Sequence, residues 1–135
     1  MAPRTFTVGE ANAALARVRP LAAALVERAG GLRRAQAAQA ELGLHISGNG
    51  GDITPSDLAE AEEAVQQAAR AVATAIGELT ALGVQVKDAD TGLLDFPAVR
   101  DGEPVLLCWR LGEDEVGFWH GLEDGYAGRR PLPFD

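Results

Sequence analysis

The chain has a single cysteine, Cys108, so it cannot form an internal disulfide, and a reducing cytoplasm is the expected address. No apolar run approaches the ~20 residues of a membrane-spanning helix, and the opening MAPRTFTVGE contains no apolar leader core. Bases are scarce: 12 Lys and Arg against 20 Asp and Glu leave a net charge of −8. That balance argues against nucleic acid or an anionic membrane as the main partner. The dense ligand spacings of CxxC or HExxH motifs are missing, as is any phosphate loop ending in GK[ST]. Aromatics make up only 5% of residues, yet they are not scattered. Both tryptophans, the only tyrosine, the only cysteine and one of two histidines fall in CWRLGEDEVGFWHGLEDGYAGRRPL, residues 108–132. A buried core and a working site would both explain that gathering.

What is present suits one domain over residues 1–135, with 47% hydrophobic residues available for a core. TFTVGE opens with a capping box, in which Thr7 and Glu10 satisfy each other's backbone amides. Val8, Ala11, Leu15, Val18, Ala22, Leu25, Ala29 and Leu32 then follow a helical spacing. A kink is expected at Pro20, which cannot donate to the Ala16 carbonyl, and Gly30-Gly31 predicts a bend or a close backbone contact. The pattern fades at Gln36 and Gln39, and GLHISGNGGDI, residues 43–53, reads as a glycine-rich loop. A second helix starts at Thr54-Pro55 and stops at Gly83. Leu58, Val65, Val72 and Leu79 recur in it every seven residues, with Ala61, Ala68, Ala75 and Leu82 between.

Folding the two helices antiparallel, with paired numbers summing to about 97, sets Leu15 on Leu82, Val18 on Leu79, Leu25 on Val72 and Leu32 on Val65. The same alignment brings Arg19 near Glu78, Glu27 near Arg70, and Arg33 and Arg34 near Glu62 and Glu63. At ~1.5 Å per residue the first helix approaches ~50 Å, whereas a compact chain of this size has a radius of gyration near ~14 Å. The far end must protrude or be covered. A homo-oligomer, a dimer through the helices, is the expected solution.

After Gly83 the period changes to two. VQVKD, LLDFPAVR, PVLLCWRL and EVGFWH read as strands, with a two-residue turn at Asp101-Gly102. Pro97 places its strand at an edge or a bulge. The tightest closures pair Arg100 with Glu103 and Leu111 with Val116. Trp109 then faces Phe118 on the core side, which also carries Phe96, Ala98, Val105, Leu107 and His120. The other face carries Asp95, Leu106, Cys108, Arg110 and Trp119, an apolar row with a carboxylate, so a cover is expected from the C-terminal tail, another subunit or a ligand.

Among candidate chemical groups His120 leads, because Glu123, Asp124 and Arg129 follow it closely and a histidine beside carboxylates can serve as general base or metal ligand. A structural histidine bonded to tail backbone is the commoner case. The catalytic candidates are His120, Asp95 and Glu123, the ligand-binding candidates Asp90, Trp119 and Arg129, and the metal candidates His120, Asp90 and Asp95. Cys108 is expected to be a buried, inert thiol. KDADTGLLDF alternates acids like part of a calcium loop but lacks the closing glutamate, so Asp90 and Gly92 are read as shaping a turn. Arg129 and Arg130 either bind an anion or pair with the acids at 113–115, of which pairing is the commoner outcome.

The block GVQVKDADTGLLDFPAVRDGEPVLLCWRLGEDEVGFWHGLEDGYAGRRPL, together with TVGEAN, resembles a family of uncharacterised bacterial proteins known as a conserved domain of unknown function. The resemblance covers nearly the whole chain. It implies that Asp88, Asp90, Gly92, Asp95, Phe96, Trp109, Gly112, Glu113, Trp119, His120, Gly128 and Arg129 belong to the family pattern, and it brings no activity or cofactor with it.

The expected architecture is α+β: a long antiparallel helical hairpin (7–83) on a three- to four-stranded antiparallel sheet with a C-terminal tail (84–135). Two functions compete. One is a non-enzymatic oligomerising or interaction module that associates through the hairpin. The other is a small-ligand or metal-dependent enzyme at the sheet end, around Asp90, Asp95, His120, Glu123 and Arg129.

Overall fold

The computed structural model describes residues 4–47 and 52–134, and they form the expected α+β fold. Helix α1 spans Val8–Ser47, α2 spans Pro55–Ala81, and strands β1 (Gln85–Asp88), β2 (Leu93–Arg100), β3 (Glu103–Arg110), β4 (Phe118–Gly121) and β5 (Arg130–Pro131) follow. The strands form one antiparallel sheet in the order β1-β2-β3-β4-β5. The sheet therefore has five strands rather than three to four. The fifth is two residues of the tail, one of them proline, too short to leave a period-two pattern in the sequence.

Both helix starts are built as their sequences predict. The Thr7 backbone amide donates to Glu10 Oε1 at 2.9 Å, and the Glu10 amide donates to Thr7 Oγ1 at 3.0 Å. Thr54 and Asp57 make the same reciprocal pair ahead of Pro55. At the end of α2, Gly83 takes φ 90°, the left-handed conformation that stops a helix. Helix α1 is longer than expected. It continues through Pro20 and Gly30-Gly31 and on through residues 43–47, read above as loop. A helical glycine costs only ~1 kcal/mol relative to alanine, so Gly43 alone does not end it. The SGNGG part of that loop lies outside the described residues from Gly48 on.

The expected seam packs. Leu15, Val18, Ala22, Leu25, Ala75 and Leu79 are buried in one cluster, with Val72 and Leu82 against it. Arg28 Nη1 donates to the Ala71 carbonyl at 3.2 Å, and 28 + 71 = 99, close to the expected alignment. The expected charge pairs across the seam are replaced by others. Arg28 pairs with Glu78, Arg70 with Glu63 on its own helix, and Arg33 with Asp90, while Arg19 donates to the Asp114 carbonyl. Exposed pairs are worth at most ~1 kcal/mol, so long arginines take whichever acceptor is nearest.

The β2–β3 hairpin closes at Asp101 (φ 51°) and Gly102 (φ 82°), with Arg100 opposite Glu103 as expected. Pro97 lies past the end of β1, and its carbonyl accepts from the Phe6 amide at 2.7 Å. A residue's amide and carbonyl share one side of a strand, so the missing proline N–H costs no bond to β3.

The β3–β4 register corrects the expectation. Cys108 faces Phe118, Leu107 faces Trp119 and Leu106 faces His120. Expected was Trp109 opposite Phe118, one residue away. A one-residue slip moves every side chain of a strand to the other face, so Trp119 enters the core and His120 leaves it. The cause is the segment from Leu111 to Gly117, which does not close tightly. Instead the Val116 amide donates to Asn12 Oδ1 on α1 at 2.7 Å, and the Gly117 carbonyl accepts from Leu132.

Asn12→Ala should leave the Val116 amide without its acceptor and cost about 1–3 kcal/mol in urea unfolding. Asn12→Asp, which retains an acceptor there, should cost less.

Candidate functional site

The inner sheet face carries Leu94, Phe96, Ala98, Val105, Leu107, Trp109 and Trp119, all in the core with the helices. Trp119 meets the Phe134 ring edge-on at 5.4 Å, and Leu132 packs beside that cluster. Trp119, expected on the outer face as a ligand contact, is thus a core residue.

The outer face carries Asp95 on β2, Leu106 and Cys108 on β3, and Phe118 and His120 on β4. Asp95 stands directly opposite Cys108. The Pro97 carbonyl points away from β3, so Asp95, two residues earlier, does too. Asp95 and Cys108 are therefore a non-hydrogen-bonded pair, the type with the closer side chains. His120 reaches across β3 between Leu106 and Cys108, and its Nε2 lies 3.1 Å from both Asp95 oxygens. Cys108 is 0%, Asp95 1% and His120 3% exposed, so the cover of this face belongs to the chain itself. The tail supplies part of it. Arg129 lies 3.7 Å above the Phe118 ring and against Tyr126, within the turn Tyr126–Gly128, and its guanidinium pairs with Glu113.

Proton positions follow from the partners. His120 Nδ1 is 2.7 Å from the Gly121 carbonyl, which can only accept, so Nδ1 carries a hydrogen. One further proton then lies between Nε2 and the Asp95 carboxyl. Imidazolium with carboxylate and imidazole with carboxylic acid both leave the pair neutral, which a buried site requires. Burial raises Asp95 above the ordinary carboxylate range, opposed by His120, by Lys87 and by a hydrogen bond with the Cys108 thiol. The thiol itself is pushed up to about 12, first by burial and then by the Asp95 charge, so Cys108 is inert as a nucleophile, as expected.

The structure brings together only some of the candidates. Asp95 and His120 meet, and Cys108 joins them. Asp90 does not: it is exposed at the β1–β2 turn and pairs with Arg33 of α1. That turn is built by Asp88, which accepts from the Asp90 amide and the Thr91 hydroxyl, and by Gly92 at φ 72°. A Cβ at Gly92 would lie 2.8 Å from Leu111, so only glycine fits. Glu123 is exposed and takes no part in the cluster, whereas Asp124 caps the turn by accepting from the Gly121 amide at 3.1 Å. Arg129 takes the commoner of its two expected roles, pairing with the acidic turn. Sequence reasoning had Asp95 and Cys108 on one face and grouped His120 with Asp95 as a candidate, but set His120 on the opposite face of the sheet. A usable signal was there: exchanging the two faces of β4 buries an indole in the core and gives a histidine a carboxylate.

A family described as "Uncharacterized conserved protein (DUF2203)" matches residues 4–132, and the chain belongs to it. The resemblance read from the sequence holds to that extent, a family of unknown function. No curated protein and no solved structure matches the chain.

An alkylating agent should fail to label Cys108 in the native protein at neutral pH and label it fully in denaturant. The folded chain holds the thiol proton up to pH about 12, whereas the unfolded chain loses it near ~8.5. Stability contributed by that proton is complete below ~8.5 and falls as pH rises toward 12. Urea midpoints of the native protein should therefore decline over this range more steeply than those of Cys108→Ala.

Proposed function

We propose that this protein is a non-enzymatic self-association module, whose partner is a second copy of the chain bound along the distal half of the helical hairpin. The observation that carries this reading is how little of the heptad seam is covered. The buried residues stop at Gly30 on α1 and begin at Ala75 on α2. Arg33 is the outermost α1 residue bonded to the sheet end, through Asp90. From Leu32 outward, Leu32, Ala61, Val65 and Ala68 are half-buried, while Leu44 and Leu58 are 73% and 40% exposed. Two helices alone cannot enclose such a stripe, and four can.

Charge favours a copy of the same chain over an unrelated partner. The distal part of α2 carries Asp57, Glu60, Glu62 and Glu63, while the facing part of α1 carries Arg33 and Arg34 against a single acid, Glu41. A twofold arrangement lays the basic helix of one copy on the acidic helix of the other, twice. The many alanines there, including Ala35, Ala37, Ala38, Ala61, Ala64 and Ala68, let helices approach closely, as in a coiled coil. The competing enzyme reading has less support, because Asp90 and Glu123 stand apart and the Asp95 cluster is closed to solvent.

Sedimentation equilibrium should give a dimer mass for the native chain. Leu44→Asp with Leu58→Asp, both at exposed positions, should weaken dimerisation at least tenfold with unchanged helical circular dichroism. A monomer at the highest soluble concentration would contradict the reading.

A further inference from the structure

The buried cluster has properties that a purely structural network does not need. A carboxylate oxygen of Asp95, Cys108 Sγ and a ring nitrogen of His120 come from three adjacent strands, and these atoms all lie within 4.8 Å of one another. We propose that Asp95, Cys108 and His120 form a binding site for one zinc-class divalent ion, with its fourth position open to a water molecule. This inference does not depend on self-association, since the cluster lies on the sheet face away from the helices.

Donor types come first. An imidazole nitrogen, a thiolate and a carboxylate are the groups that zinc takes, and three protein ligands with one open position is a common arrangement. Orientation comes second. Metal-bound histidines usually donate their other ring N–H to a carbonyl or carboxylate, which aims the free nitrogen at the ion. His120 does this, with Nδ1 held by the Gly121 carbonyl and Nε2 turned to Asp95.

Spacing comes third. A tetrahedral ion with ~2.0–2.1 Å bonds to nitrogen and oxygen and ~2.3 Å to sulfur holds its donor atoms roughly 3.3–3.6 Å apart. The Nε2 to Oδ separation is 3.1 Å and the whole set lies within 4.8 Å. The ion fits if nitrogen and oxygen part by a few tenths of an ångström and the thiol closes in.

Charge is the fourth argument. Binding releases the Cys108 thiol proton and the proton between His120 and Asp95 to solvent, with no change of oxidation state. A doubly charged cation, a thiolate, a carboxylate and a neutral imidazole then sum to zero, as the protonated cluster does. Exchanging two protons for the ion therefore leaves no net charge in a closed site, which is the condition for burying one at all. Nearby, Arg129 Nη1 is buried without a hydrogen-bond partner among the described residues, on a side chain only 9% exposed. Its charge acts on Cys108, while Glu113 balances that charge.

The test uses cobalt(II) as a spectroscopic stand-in for zinc on the full chain stripped with chelator. Because the cluster is closed, cobalt is added both to the native protein and during refolding from urea. The expected result, by either route, is one ion per chain, with a thiolate-to-cobalt charge-transfer band and the intense visible bands of tetrahedral cobalt, all displaced by zinc. Cys108 is the only cysteine, so the thiolate band assigns it without any variant. Cys108→Ser should abolish that band and weaken zinc binding by more than about 100-fold, the upper figure for changing a merely supporting group. His45→Ala, at the exposed end of α1, should leave binding unchanged. Should Cys108→Ser fail to fold, the band in the native sequence decides alone. Absence of the band after both routes overturns the proposal, as does uptake that survives Cys108→Ser or is lost with His45.

Discussion

The pairing of β3 with β4 is the constraint on which the two faces of the sheet depend. With Leu107 opposite Trp119, the indole lies in the core against Phe134, and His120 lies opposite, within 3.1 Å of Asp95. Shift β4 by one residue and both placements invert: an imidazole enters the apolar layer and an indole faces the Asp95 carboxylate. Nothing in either strand alone forbids that shift. It is forbidden from outside, by Asn12 on α1 holding the Val116 amide and by Leu132 holding the Gly117 carbonyl. The helical hairpin thus does more than supply core residues. Through Asn12 it sets the alignment of a strand that lies about a hundred residues further along the chain than that asparagine.

How much of this was legible in the sequence depended on how local each signal was. The helices were legible because their evidence lies within a few residues: the capping box at Thr7, the Thr54-Pro55 start, the apolar spacing, the stop at Gly83. The β2–β3 hairpin was legible for the same reason, since Asp101-Gly102 closes only one way. The β3–β4 link was not, because the segment Leu111 to Gly117 admits more than one closure and the atom that chooses between them belongs to Asn12. Likewise β5 could not be read, because Arg130–Pro131 becomes a strand only by lying against Phe118 and Trp119. The charge pairs failed for a different reason. Exposed arginines have several acceptors of similar worth, and sequence alignment along two helices does not rank them.

The candidate site divides along the same line. Asp95 and Cys108 share a face through a hairpin whose register was clear, and their proximity was readable. His120 joined them only through the register that was not. Asp90 and Glu123, grouped with these residues by nearness in sequence, were drawn away by contacts invisible there: Arg33 on α1 and the turn organised by Asp124. The gathering of cysteine, tryptophan and histidine in one segment has two explanations, one for each face. Trp109 and Trp119 build the core, while Cys108 and His120 complete a closed polar cluster behind it.

The register itself can be measured directly. Residues of a non-hydrogen-bonded antiparallel pair bring their α-protons close together, and here Leu107 and Trp119 form such a pair between β3 and β4. A nuclear Overhauser spectrum of the protein should therefore show a strong Hα–Hα cross-peak between Leu107 and Trp119. A cross-peak between Leu107 and His120 in its place would mean that β4 is displaced by one residue, and the cluster of Asp95, Cys108 and His120 would not exist.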